Sequence, residues 1–143
     1  MVAMPTERSR ALRDRKDDRG ITLKSLVGET FIAYGRTCGP APYGTSIHDS
    51  TIAACRAAGF SPHFGQEVDR PASALYLVAA GLGMYLVPAS VQRMNLDGVE
   101  YRPLKGTVRP KASLAIAARR GDPSLVVGQF VKFVRAAVKG FHG

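Results

Sequence analysis

Between residues 30 and 88 the chain alternates two hydrophobic rhythms. The stretch 30–34 and the short apolar run 84–87 have the lengths of buried strands and 63–68 reads as another strand, whereas Ile47, Thr51, Ile52, Cys55 and Ala58 return at the three- and four-residue intervals of a helix face. Residues 72–80 supply a second helical run. The punctuation agrees with this division. Gly59 and Gly81 stand where a helix ends in a left-handed residue, and Pro88 closes the third strand. Thr45 or Ser46 can cap the first helix with Asp49 as a capping-box partner, while Asp69 and Pro71 read as cap and first-turn proline of the second. Strand, helix, strand, helix, strand in that order predicts a doubly wound α/β lobe.

Outside this stretch the pattern is less regular. Residues 2–4 read as a short strand ended by Pro5, residues 6–20 as an exposed charged excursion, and residues 21–26 as a helical turn capped by Thr22. Residues 35–44 hold three glycines and two prolines and must be a loop. Beyond Pro88, strands are expected at 99–102 and 112–118, separated by a loop with Gly106 and Pro110. Asp122 and Pro123 then open a last helix with Val126, Phe130, Phe133, Val134 and Ala137 on the 3.6-residue period. Two strands and one helix cannot bury their apolar faces alone, so this part is expected to pack on something else.

Composition narrows the class. An apolar share of 45% with 22% charged residues in 143 residues is that of an ordinary globular protein. No apolar run reaches the roughly 20 residues that span a bilayer, and residues 1–10 lack a signal-peptide core, so a cytoplasmic home is expected. Cys38 and Cys55 have no metal-ligand spacing and read as reduced structural thiols. The net charge of +9 is concentrated after residue 100, where nine Lys and Arg face Asp122 alone. That concentration raises a nucleic-acid-binding module in residues 101–143 as an alternative. No aromatic platform accompanies it, and Lys132, Arg135 and Lys139 also fit the solvated face of one helix.

Catalytic and cofactor chemistry finds no support in these residues, and no cofactor or metal is expected. His48, His63 and His142 lie far apart without partners, and Ser90 lacks a nucleophile elbow. Gly81-Leu82-Gly83 follows a helix and precedes a strand, the reverse of a dinucleotide fingerprint.

Several segments, taken in order, resemble the effector-binding domain of LysR-type transcriptional regulators. They are Ile21-Thr22-Leu23-Lys24-Ser25-Leu26 before Glu29-Thr30-Phe31-Ile32, the helix exit Ala58-Gly59-Phe60-Ser61-Pro62, and Val78-Ala79-Ala80-Gly81-Leu82-Gly83 leading to Val87-Pro88-Ala89-Ser90. Gly98-Val99-Glu100-Tyr101-Arg102-Pro103-Leu104 and Arg119-Arg120-Gly121-Asp122 complete them. The likeness covers nearly the whole chain. Val87-Pro88-Ala89-Ser90-Val91-Gln92-Arg93 is most similar to the muconate- and chlorocatechol-responsive branch that controls aromatic catabolism.

The resemblance implies a type 2 periplasmic-binding-protein-like α/β fold, with residues 5–88 as effector-binding lobe II, residues 89–143 as the C-terminal part of lobe I, and Pro5 and Pro88 at the hinge. It implies a non-enzymatic sensor that binds a small organic acid, an aromatic or dienoic carboxylate, and that assembles as a homo-oligomer. DNA would be reached only through a winged helix-turn-helix outside this chain, which would make the chain a fragment or a truncated member. The effector site falls on Arg36, Gly39, Pro40, Tyr43, Gly44, Thr45 and Ser46, after a strand end and at a helix start. Arg36 would clamp a carboxylate, and Pro40 with Tyr43 would wall it. Thr45 and Ser46 read equally well as donors to that carboxylate and as simple caps. A solute-binding protein of the periplasmic type shares the architecture, but the missing export signal opposes it. A small enzyme is the remaining rival.

Overall fold

The apolar run Val2-Ala3-Met4 becomes the middle strand of a sheet. The structure, a computed structural model, describes residues 1–12, 20–34, 47–108, 110 and 116–140. In chain order its elements are β1 (Val2–Pro5), α1 (Thr6–Ala11), β2 (Ile21–Thr22), β3 (Thr30–Tyr34), α2 (Ile47–Ala57), β4 (His63–Val68), α3 (Pro71–Ala79), β5 (Tyr85–Leu86), β6 (Val99–Arg102), β7 (Leu104–Lys105) and α4 (Leu125–Gly140). They fall into two compact units, Met1–Ser113 and Leu114–Gly143.

In the first unit β1 pairs antiparallel with β5 on one side and β6 on the other. β3 pairs in parallel with β4, and a parallel bridge joins Phe31 to Met84, the residue entering β5. At that bridge the Ile32 amide donates to the Met84 carbonyl and the Met84 amide to Thr30, both at 2.8 Å. The order across the unit is therefore β4, β3, β5, β1, β6. A separate parallel pair joins β2 to β7.

Strand alternation then decides which helix covers which face. Val2, Met4, Phe31, Met84 and Leu86 point to one side, where they meet Ala54 and Cys55 of α2 and Leu23 and Leu26 of a 3₁₀ turn. Ala3, Ile32, Tyr85 and Val87 point to the other, against Ala74, Leu75 and Val78 of α3. This is the predicted doubly wound arrangement, with a helix on each side of a mainly parallel sheet. Each fully buried Leu, Val, Met or Phe side chain contributes about 1.5–3 kcal/mol.

Both helices end as the glycines foretell. In α2 the Gly59 amide donates to Arg56 and the Phe60 amide to Cys55, and in α3 the Gly81 amide donates to Val78 and the Leu82 amide to Leu77. Gly59 and Gly81 have φ of +91° and +78°, so these are paired 5→2 and 6→1 closures around a left-handed residue. The Thr22 cap is also present, its hydroxyl accepting from the Ser25 amide at 3.3 Å.

Four expectations need correction. Residues 6–20 are not wholly an exposed excursion. Thr6–Ala11 is a helix that buries Ser9, with Arg8 paired to Glu29 at the start of β3; residues 13–19 lie outside the described residues. Asp69 does not cap α3. Arg70 is the capping residue, extended and without a side-chain bond. Residues 116–118 form no strand, while 111–115 lie outside the described residues. α4 begins at Leu125 rather than at Asp122. Ser124 caps it by accepting from the Val127 amide, and the Asp122 carboxylate accepts from the Ser124 amide at 2.9 Å.

The first compact unit runs on past Pro88 to Ser113. β6 is hydrogen-bonded along β1, so residues 99–102 belong to the first unit.

Candidate functional site

Because β3 and β5 run in parallel, their carboxyl ends reach the same edge of the sheet, and antiparallel β1 begins there. At this edge lies a cavity of about 370 Å³, lined by Met1, Leu86, Val87, Pro88, Ala89 and Pro110, with Ile47, Ser50 and Thr51 of α2 on the facing wall. Positions 47, 50 and 51 share one helical face, so the first turns of α2 present a single surface to it. All these residues belong to the first unit.

The walls are largely apolar. The Thr51 hydroxyl donates to the Ile47 carbonyl at 2.8 Å and is thereby committed. Half-buried Ser50 is left as the hydroxyl available to a guest among the described lining residues. None of those residues has a charged side chain. The nearby charge is the Met1 amine, which donates to the Val87 carbonyl at 2.9 Å and is held below its usual pKa by burial. An apolar body with one polar end suits this space better than a highly charged ligand.

A larger groove of about 480 Å³ lies at the other end of the strands, between α1 and the Gly81–Gly83 turn. Two of its charges, Arg8 and Glu29, are paired with each other. The Arg8 Nε donates to Glu29 Oε1 at 2.8 Å, and this bond raises the guanidinium pKa. The groove also lies off the carboxyl edge where open α/β sheets hold ligands, so the smaller, drier cavity is the better candidate.

Arg36, Gly39, Pro40, Tyr43, Gly44, Thr45 and Ser46 lie outside the described residues. Pro5 ends β1 and precedes α1, while Pro88 follows β5 and lines the 370 Å³ cavity. Both prolines lie inside one compact unit, so bending at them would be a flexure within that unit. His48, read as a packing or surface residue, packs. It is buried with its ring 4.6 Å from that of Phe64, and its Nδ1 has no hydrogen-bond partner. Cys55 is free and fully buried, and burial pushes its thiol up to about 11; Cys38 lies outside the described residues.

Sequence reasoning assigned Ile47 and Thr51 to the core and passed over Ser50, Val87, Ala89, Met1 and Pro110 as cavity residues. One signal was legible: a serine three positions after Ile47 on an otherwise apolar face. Among the described residues no group of three or more His, Cys, Asp or Glu is placed to hold a metal, and no helix is long and apolar enough to cross a membrane.

A helix on each face of a mainly parallel sheet, with a small-molecule cavity at the strands' carboxyl edge, defines a ligand-binding α/β domain of the type 2 periplasmic-binding-protein-like class. The family model of the LysR substrate binding domain matches residues 11–139, and the chain belongs to that family. It is 38% identical over 109 residues to the HTH-type transcriptional regulator CatR of Pseudomonas putida, a match covering 75% of this chain and 35% of CatR. The solved effector-binding domain of BenM with its effector benzoate aligns at a TM-score of 0.60 and 30% identity, over 75% of this chain and 45% of that one. The crystal structure of CbnR, a LysR family transcriptional regulator, aligns at 0.74 over 94% of this chain and 43% of that one; at 24% identity it supports the fold alone. The chain thus spans between a third and a half of these proteins.

Proposed function

We propose that this chain is the effector-sensing part of a LysR-type transcriptional regulator, and that it binds a small organic acid whose apolar body enters the cavity beside β5 and α2. The observation that carries this reading is the position of that cavity, at the carboxyl edge of the sheet with the first turns of α2 as one wall. Peptide continuity adds support. Thr45 and Ser46 directly precede Ile47, a lining residue, and successive Cα atoms are only about 3.8 Å apart. Their hydroxyls, the amides at a helix start and Arg36 are the carboxylate-binding groups of this reading, with Gly39, Pro40, Tyr43 and Gly44 around them. BenM's effector, benzoate, makes an aromatic acid the first ligand to try.

In the whole regulator, ligand would favour one arrangement of the sensor over another, and so bias a homo-oligomer that contacts DNA through a separate module. Pro5 and Pro88 are the hinge positions of that reading. The chain would do no chemistry on its ligand and would work in the cytoplasm. The test is calorimetric titration with benzoate and with a hexadienedioic acid, using benzamide as the uncharged control. Saturable binding of an acid, lost in a folded Thr45→Ala/Ser46→Ala variant, is expected. Equal binding of benzamide and benzoate, or an unaffected double variant, would remove the carboxylate site from this helix start.

A further inference from the structure

The cavity at the carboxyl edge offers more room, and one more polar group, than an unsubstituted ring acid would use. A cavity of about 150 Å³ already holds a benzene ring, whereas this one measures about 370 Å³. Several polar groups of its wall are already paired. The Thr51 hydroxyl donates to the Ile47 carbonyl, the Val87 amide donates to the Met1 carbonyl at 2.9 Å, and the Pro88 carbonyl accepts from the Val91 amide at 3.1 Å. Ser50 differs. It is half-buried on α2, and its hydroxyl is bonded to none of the described residues. A serine hydroxyl both donates and accepts, so it can meet a hydroxyl on a guest in either sense.

We propose that Ser50 is a specificity-determining residue, and that the ligand it selects is an aromatic acid with a hydroxyl on the edge of the ring away from the carboxylate. The inference rests on the reading above, in which the carboxylate is held at the start of α2. Ile47 opens that helix, and Ser50 stands three residues further, about 4.5 Å along the axis and near the same face. A ligand anchored ahead of Ile47, with its ring lying along this face, therefore brings its far edge and not its acid end to Ser50. Leu86, Val87, Pro88 and Ala89 give the ring an apolar wall on the other side. A hydroxyl on that far edge exchanges a hydrogen bond to water for one to Ser50, a modest net gain. A methyl group in the same place fills the same space but takes Ser50 out of water without a partner, which is a loss. The difference between these two substituents is what Ser50 reads.

The test is calorimetric titration of the full chain with benzoate, with 3- and 4-hydroxybenzoate and with the two matching methylbenzoates, repeated on Ser50→Ala. Alanine is the stronger helix former, so the variant should keep α2, which circular dichroism checks. In at least one of the two pairs, the ratio of the hydroxy acid's association constant to that of the methyl acid should fall about three- to tenfold from wild type to Ser50→Ala, the range of one neutral hydrogen bond. Taking the ratio in both proteins removes the ordinary hydrophobic difference between the two acids. A ratio unchanged in both pairs, or binding of benzoate with exclusion of both hydroxy acids, overturns the assignment of Ser50 and leaves the acid-sensing reading standing. Binding of none of these acids by the wild type overturns both.

Discussion

α3 and α4 are both rich in apolar residues, yet only one of them has a core. In α3 the side chains of Ala74, Leu75 and Val78 are at most 1% exposed, because Ala3, Ile32 and Tyr85 stand across from them on the sheet. In α4, Phe133 remains 70% exposed. An apolar helical period states a demand for burial, and a facing element has to meet it. The contrast also explains why periodicity found both helices but could not say which was already satisfied.

The sharpest way to break this contrast is to truncate one residue on each side. Leu75→Ala should cost about 2–5 kcal/mol through lost transfer energy and a residual cavity. Phe133→Ala, at an exposed position, should change unfolding of the first unit by less than about 0.5 kcal/mol. Urea denaturation followed by tyrosine fluorescence measures both, and similar losses would mean that α4 is part of the same core.

Next in size is Gly83→Ala. Gly83 has φ of +157°, and a Cβ there would lie 2.9 Å from the Thr30 carbonyl, next to the bridge that ties Met84 to β3. A loss of about 1–3 kcal/mol is expected in the same denaturation.

A smaller effect comes from pH. Burial raises the Cys55 thiol from 9.0 to about 11, so between those values the unfolded chain releases a proton that the folded chain keeps. Stability conferred by the neutral buried thiol is whole below pH 9 and falls as pH rises toward 11, by roughly 1 kcal/mol near pH 10. Tyr85, raised by burial and by Tyr34, adds to the fall at the alkaline end. Thermal melts of wild type and Cys55→Ala across this range should differ in slope. Parallel curves would show that the thiol does not titrate between the two states.

The smallest effect belongs to α4. Ser124→Ala removes the hydroxyl that accepts from Val127 and should cost that helix about 0.5–1 kcal/mol, seen as reduced helical circular dichroism without any shift in unfolding of the first unit.

Much of the first unit was legible because local chemistry and tertiary packing coincide there. β3, β4 and β6 match the strands read at 30–34, 63–68 and 99–102, and Gly59 and Gly81 close helices where a positive φ was needed. What escaped depends on partners distant in sequence. The two-residue strands at Ile21 and Leu104 exist because each pairs with the other, so neither carries a strand signal alone. His48 took an inward place assigned in part to Ile52 because Phe64 offers it a ring to stack on. The cavity is legible only in part for the same reason: Ser50, Val87 and Pro110 meet through folding, whereas the proposed carboxylate residues form one continuous stretch of chain.

The central place of β1 sets an order of events for the newly made chain. Val2 must register against Leu86 and Arg102, partners more than eighty and about a hundred residues away. Contacts that distant in sequence slow folding, because a long loop must close before any ladder bond forms. During synthesis the first strand would therefore emerge long before its neighbours and wait without them. Val2, Ala3 and Met4, which end with no exposed surface, would spend that interval in water. Pulse-labelled hydrogen exchange during refolding should show the amides of β1 among the last to gain protection, after those of α2 and α3.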